Sequence, residues 1–201
     1  RLVCVDNSSS RLLRLRQVLA THGHLTSEEN PKVHIVHESH FPEFLRSELA
    51  VKDRLFTKVL VDVPCSADRH ALHSSEGSMF SKGKSKTRGS LPDQQLALLR
   101  RAMQLCRPGG SVVYSTCTLS PAQNQAIIET CLTKSNSQAT FSPVDLTPLI
   151  HMFTMAQPAL GLSVLPIHVN SLTSAPIGLL VVPRISANYG PTFVCKLRRV
   201  S

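Results

Sequence analysis

A chain of 201 residues can hold one domain with a substantial core and is short for two. Hydrophobic residues make up 42%, but no apolar run is long enough to cross a bilayer, so a spanning helix is excluded. A formal net charge of +9 points to an acidic partner, nucleic acid foremost, although an ordinary basic enzyme fits it as well.

Arg1 leads straight into LVCVD, with no initiator Met, signal or presequence, so the chain is expected to begin inside a domain. Residues 2–6 read as a strand ending at Asp6. Ser8 to Ser10 offer N-caps for a helix from about Arg11 to Thr21, with Leu12, Leu15 and Leu19 at helical spacing and Gly23 as a stop. Lys32–His37 reads as a second strand and Phe41–Leu49 as a short helix. A third strand, Lys58–Val63, ends in Pro64-Cys65. Residues 66 to 90 look irregular and rich in Ser, Gly and Lys, and Leu91-Pro92-Asp93 then opens a helix running to Cys106. Pro108-Gly109-Gly110 predicts a tight turn into a strand at Val112–Tyr114. Ser120 is expected to cap a helix with Pro121 at its first position, reaching about Leu132. Residues 134 to 175 are weakly patterned. Ile177–Val182 and Thr192–Leu197 close the chain as strands, with Asn188, Gly190 and Pro191 between them; so short a connection requires them to be antiparallel. No internal repeat is present. The alternation of strands and helices predicts an α/β fold with a doubly wound sheet.

Six cysteines, at positions 4, 65, 106, 117, 131 and 195, form no CxxC pair, and the nearby histidines lack zinc-ligand spacing, so no metal site is expected. Several lie in apolar runs, where a reduced thiol packs as a small hydrophobe. Cys65 and Cys117 differ: each falls just past a strand end, where an open α/β sheet places its binding crevice. In DVPC, Pro64 ends the strand and leaves Asp62 and Cys65 beside that crevice. In STCTLS, the helix start after Cys117 is expected to lower its thiol pKa. A free thiol of pKa about 8.5 is only a few per cent ionised at neutral pH, so activation is worth about a factor of ten. Asp6, followed by Arg11, stands where a carboxylate can take both ribose hydroxyls of a nucleotide; it serves equally well as a helix cap.

Together, DVPCSADR, the LPxxQxxLL-like run of Leu91–Leu99, RPGGSVVYSTCTLSPAQN and ANYGPTFVCKLRR resemble the Nol/Nop/Sun (RsmB-like) family of RNA 5-methylcytosine methyltransferases. The pattern is most like its mitochondrial members, in particular the one acting on small-subunit ribosomal RNA. The resemblance spans nearly the whole chain and implies a Rossmann-like, S-adenosylmethionine-dependent methyltransferase domain over residues 1–201. It implies Cys117 as the nucleophile that adds to cytosine C6, and Cys65 as the residue that helps resolve the adduct. Asp62 matches the carboxylate beside cofactor and base, and Asp6 and Arg11 match cofactor contacts. Glu38 or Ser39 matches a further cofactor contact. The family's Pro-Gly-Gly-Lys cofactor loop has no counterpart in this sequence and is expected to lie before residue 1, and Gln125 replaces an acidic residue found in many relatives. The final strands are expected to be antiparallel, as above.

Lys82, Lys84, Lys86 and Arg88 interleave cations with small residues and are expected to follow an RNA backbone; Arg198 and Arg199 are a weaker pair of the same kind. His70 and His73 flank the crevice loop as RNA contacts or as solvent-exposed residues. By the resemblance, ribosomal RNA is the first substrate and mitochondrial transfer RNA the second. A mitochondrial setting is implied, with a helical-repeat partner of the transcription-termination-factor family. Two further readings stay open: a catalytically inactive RNA-binding assembly module, and a DNA cytosine methyltransferase. The latter would carry its nucleophile in the Pro-Cys rather than the Thr-Cys motif.

Overall fold

The computed structural model describes residues 1–22, 33–49, 55–66, 82–134, 139–169, 172–182 and 189–201; of residues 48–49, 82–88 and 158–160 it describes the backbone alone. Gly23, His70, His73 and Asn188 lie outside the described residues. The chain divides into two compact units, Arg1–Arg54 and Leu55–Ser201.

In the first unit, β1 (Leu2–Asp6) pairs in parallel with β2 (Val33–His37), Leu2 opposite Val33 and Asp6 opposite His37. Between them runs α1 (Ser9–Thr21). Its N-cap is Ser8, whose hydroxyl accepts from the Arg11 amide at 3.4 Å, satisfying one of the orphan donors of the first turn. The helix buries Leu12, while Leu13 and Val18 stay exposed. A 3₁₀ turn, Glu38–His40, leads from β2 into α2 (Phe41–Leu49), where the Phe41 and Phe44 rings stack 6.4 Å apart.

The second unit carries the main sheet, in the order β3-β4-β8-β7-β6, with the short β5 (Phe141–Pro143) pairing with the end of β8. β3 (Phe56–Asp62) and β4 (Cys106–Thr116) are parallel. β8 (Thr192–Arg199), β7 (Thr173–Val182) and β6 (Ser163–Val169) are antiparallel to their neighbours, as the short closing connection requires. Side chains alternate along β8, with Phe193, Cys195 and Leu197 buried at period two. Val112 and Tyr114 do the same on β4.

α3 (Lys82–Leu105) and α4 (Gln125–Thr133) cover this face, and Leu99, Ala102, Met103, Ile127, Ile128 and Cys131 meet the strand residues in one core. Each large apolar side chain buried there contributes about 1.5–3 kcal/mol. β3 is less enclosed than an apolar run suggests: Val59 and Val61 pack on the core, but Leu60 between them is 71% exposed.

Three local expectations are corrected. The backbone of 82–90 is helical rather than irregular, so α3 begins nine residues before Leu91 and Pro92 lies inside it. A proline there removes one intrahelical hydrogen bond without ending the helix, because the C-terminal turns are fastened to the core by Leu99 and Met103. The Pro108-Gly109-Gly110 turn is absorbed into β4 as a register shift: Phe56 pairs with Cys106 and Lys58 already with Ser111. Gly109 takes φ +73°, and a Cβ on Gly110 would stand 2.9 Å from the Thr57 carbonyl oxygen, so the backbone packs there only without a side chain. Ser120 makes no side-chain cap; the chain forms a 3₁₀ turn, Pro121–Gln123, and α4 starts only at Gln125. The weakly patterned stretch also holds β5, α5 (Thr147–Leu160) and β6.

Candidate active site

The parallel register sets Asp62 opposite Ser115, so the two strands end side by side. The Val63 amide donates to the Ser115 carbonyl at 3.3 Å, and the Ser115 hydroxyl donates to Asp62 Oδ1 at 3.1 Å. Pro64 has no amide donor to continue the ladder, and the chain turns away. Three residues past Asp62 and two past Ser115, Cys65 and Cys117 meet with their sulfurs 2.8 Å apart. The Cys117 amide also donates to Cys65 Sγ, at 3.2 Å. Cys65 is half-buried and Cys117 exposed, so the pair is open to a ligand.

Both cysteines are bracketed by buried polar side chains. On the Cys65 side, Gln95 Nε2 from α3 donates to the Pro64 carbonyl at 2.8 Å. Gln123 Oε1 accepts from the Ser66 amide at 3.1 Å, and Gln123 Nε2 donates to the Ser66 hydroxyl at 3.3 Å. On the Cys117 side, Asn124 Oδ1 accepts from Thr116 at 2.6 Å, and Asn124 Nδ2 donates to the Thr118 carbonyl at 3.0 Å. The halves are joined where Ser66 donates to the Thr118 hydroxyl at 2.7 Å and Gln95 Nε2 donates to Gln123 Oε1 at 3.1 Å. The Tyr114 hydroxyl secures the backbone of Gln123 at 2.7 Å. Gln95, Gln123, Asn124, Thr116 and Thr118 are all buried. Sequence reasoning had Gln95 only as a motif letter and missed this network; Gln and Asn at core-facing positions were the available signal.

The electrostatics of Cys117 run opposite to expectation. Its thiol is pushed up to about 12, first by partial burial of the sulfur, then by the Cys65 thiol beside it and the negative charge of Asp62. No long helix begins here to oppose them, since the segment after Cys117 folds as a three-residue 3₁₀ turn. The resting nucleophile candidate is therefore a protonated thiol. Cys106, Cys131 and Cys195 lie in the core; burial pushes Cys195 up to about 12 and raises the other two. No described cysteine is in a disulfide.

In the first unit, Asp6 sits at the carboxyl end of β1 and does two things at once. It accepts from the Ser8 amide at 2.7 Å, acting as a cap, and from Arg11 Nε and Nη2 at 2.7–3.0 Å. The Arg11 hydrogen bonds, helped by the Ser8 bond and opposed by slight burial, hold its carboxyl below the usual range. Oδ2 accepts Arg11 Nε at 2.9 Å, and a carboxylate oxygen has a second acceptor direction suited to a hydroxyl. Glu38 is half-buried at the start of the 3₁₀ turn, whereas the Ser39 hydroxyl is bonded to His37 Nδ1 at 2.8 Å. A cleft of about 490 Å³ lies in this unit, lined by Ser9, Leu12, Arg16, His37, Ser39 and His40 among others; Asp6, Arg11 and Glu38 are not among its lining residues.

Lys82, Lys84, Lys86 and Arg88 lie on the first turns of α3, where only the backbone is described. Arg199 is committed to the fold, donating to the Cys106 carbonyl at 2.6 Å just past the end of α3.

A family model described as 16S rRNA methyltransferase RsmB/F matches residues 1–169. The 5-cytosine rRNA methyltransferase nsun-4 of Caenorhabditis elegans is 34% identical over all of this chain and 40% of its own length. The mitochondrial tRNA (cytosine(34)-C(5))-methyltransferase of Mus musculus is 38% identical over 72% of this chain and 37% of its own length. A crystal structure of NSun6 from Pyrococcus horikoshii with SFG matches with a TM-score of 0.62 at 20% identity, over 99% of this chain and 41% of that one, a likeness of fold. The chain spans less than half the length of the curated relatives it matches.

Proposed function

Because the chain belongs to the 16S rRNA methyltransferase RsmB/F family, we propose that it carries the catalytic residues of an RNA cytosine-C5 methyltransferase acting through a covalent cysteine adduct. The observation that carries the reading is the meeting of Cys65 and Cys117 at 2.8 Å, past the ends of adjacent parallel strands that also hold Asp62 and Ser115. Two thiols beside a carboxylate suit a reaction that makes and then breaks a carbon–sulfur bond.

Cytosine C5 is a weak nucleophile. Cys117 passes its proton to the Asp62 carboxylate, whose charge acts on that thiol, and its sulfur forms a bond to C6 as the C5–C6 π pair moves onto C5. S-adenosylmethionine, when bound, supplies the electrophilic methyl group that C5 takes. Cys65 then helps remove the C5 proton; the C5–C6 double bond reforms and the bond to Cys117 breaks. Asp62 bonds the cytosine edge. The high thiol pKa of Cys117 fits a nucleophile kept quiet until a base is seated. For the cofactor, Asp6 takes the ribose hydroxyls with Arg11 orienting the carboxylate, and Glu38 adds a second acidic contact. Lys82, Lys84, Lys86 and Arg88 take the RNA phosphates.

Ribosomal RNA is the first substrate, supported by relatives of that description along the full chain. Transfer RNA is the second, supported by the 38% identity to the mouse enzyme. The reading includes a mitochondrial setting and a transcription-termination-factor-family partner.

The test is methyl transfer by the full-length protein to transcripts of mitochondrial small-subunit ribosomal RNA and of mitochondrial transfer RNAs. Cys117→Ala is expected to abolish product and adduct, whereas Cys65→Ala is expected to accumulate a denaturation-resistant protein–RNA adduct. An adduct that needs Cys65 but not Cys117 overturns the assignment, and methylation of transfer RNA alone overturns the choice of substrate.

A further inference from the structure

Resting on that reading, the geometry points to Gln95 as the positioning residue that sets the separation of Cys65 from Cys117. Gln95 is fully buried on α3, and its described hydrogen bonds go to neither sulfur. Its amide nitrogen has two protons, and both are used on the Cys65 side of the site. One goes to the carbonyl of Pro64, the residue before Cys65, and the other to Gln123 Oε1, which also receives the Ser66 amide, the residue after it. Cys65 therefore hangs between two backbone groups that a single α3 side chain and its partner hold from below.

The orientation of the Gln95 amide is fixed. Turned over, its carbonyl oxygen would face the Pro64 carbonyl and the Gln123 carbonyl oxygen, acceptor against acceptor. As it stands, Gln95 Oε1 is buried with no hydrogen-bond partner among the described residues. A buried orphan acceptor is unfavourable, so packing alone would favour an apolar residue at this position. A glutamine that sacrifices one polar atom to place two donors is explained by what the donors hold. Asn124 performs the matching task for Thr116 and Thr118 on either side of Cys117. Asn124 adjoins Gln123 in the chain, so the Gln95–Gln123 bond ties α3 into the Ser66–Thr118 and Ser66–Gln123 links between the two cysteine loops.

The inference can be tested without RNA. In a glutathione buffer the two thiols and glutathione disulfide exchange to a Cys65–Cys117 disulfide and two molecules of glutathione. The two sulfurs lose two electrons to the glutathione S–S bond, and the two thiol protons go to the released glutathione thiols. The equilibrium constant, read by mass mapping of the full-length folded protein, is an effective concentration of one thiol at the other. Gln95→Met keeps the volume and removes both donors, and is expected to lower that concentration about tenfold, the scale of one buried hydrogen bond. Leu99→Ala, one turn along α3 and in the core, is expected to weaken the fold while leaving the effective concentration within about twofold. Should Gln95→Met fail to fold, Gln123→Met removes the Gln95 bond together with both Ser66 bonds and is expected to lower the effective concentration at least about tenfold. An unchanged effective concentration in the folded variant overturns the inference, as does an equal fall in Leu99→Ala. Methylation assays on the same ribosomal RNA transcript separate the two claims: a tenfold fall in thiol pairing in a protein whose wild type never methylates RNA sinks the methyltransferase reading and leaves the positioning role standing.

Discussion

Asp6 with Arg11 and Gln95 with Gln123 are both polar clamps at the end of a strand, built on opposite principles. The first joins residues five apart in sequence, and its side chains are 30% and 65% exposed. The second joins residues 28 apart and is buried. The exposed pair is charged and adjustable, and water can replace either partner. The buried network is neutral and holds fixed geometry, because no water stands in for a lost partner. A carboxylate that greets a soluble ligand gains from the first arrangement. Two sulfurs that must stay close while a base enters and leaves gain from the second.

The contrast is broken most severely by Asn124→Ala. It removes the bonds of Asn124 to the Thr116 hydroxyl and the Thr118 carbonyl in the interior, and is expected to lower unfolding free energy by about 3 kcal/mol. A urea midpoint unchanged from wild type would show that the network is ornamental. Alkaline titration is the next largest effect. Cys195 and Cys117 have folded pKa values of about 12 against an ordinary 9.0, so the folded state holds protons that the unfolded chain releases. Stability is then fully present below about pH 9 and declines as pH rises from there towards 12. Tyr114, raised by its burial, adds to the decline above 10. Cys195→Ala is expected to remove part of the slope, and a midpoint flat from pH 8 to about 11 would contradict these shifts.

What could be read from the chain divides along the same line. Elements held by local chemistry were legible: α1 with its Ser8 cap, the β3 and β4 strand ends, and the antiparallel β7–β8 pair. The placement of the two cysteines followed from those strand ends; their meeting did not, because it depends on β3 and β4 being neighbours in the sheet. Residues 134 to 175 were not legible, because prolines mask their strands. Pro166 is accepted in β6 because that strand is at the end of the sheet order, and Pro176 lies in the part of β7 that precedes its pairing with β8. Local signals for α5 were nonetheless present: Asp145 accepts the Thr147 amide at 2.8 Å, Pro148 enters the first turn, and Gly161 closes the helix at φ +63°. The Gln95–Gln123 bond had no local signature beyond a polar residue at a core-facing position, since its partners lie 28 residues apart and only the folded chain brings them together. The raised Cys117 thiol was misread for the same reason: its causes are partial burial first, then Cys65 and Asp62, more than fifty residues away, and only the folded chain supplies them.

The smallest expected effect, and the sharpest test of the contrast, is Asp6→Asn. The amide keeps an acceptor for the Ser8 amide but loses the charge facing Arg11. An exposed pair is screened by salt, so the variant's deficit in thermal midpoint is expected to be small at low ionic strength and to vanish near about 1 M salt. The acid limb carries the sign. Arg11 holds the Asp6 carboxyl below its ordinary 3.8, so its stabilising share is present above that value and is lost as pH falls below it. Wild type and Asp6→Asn should therefore converge in strong acid and separate slightly towards neutrality. A deficit that is large, salt-independent and constant across pH would mean that Asp6 acts as a buried structural anchor, and the division between an adjustable charged clamp and a fixed neutral one would fall.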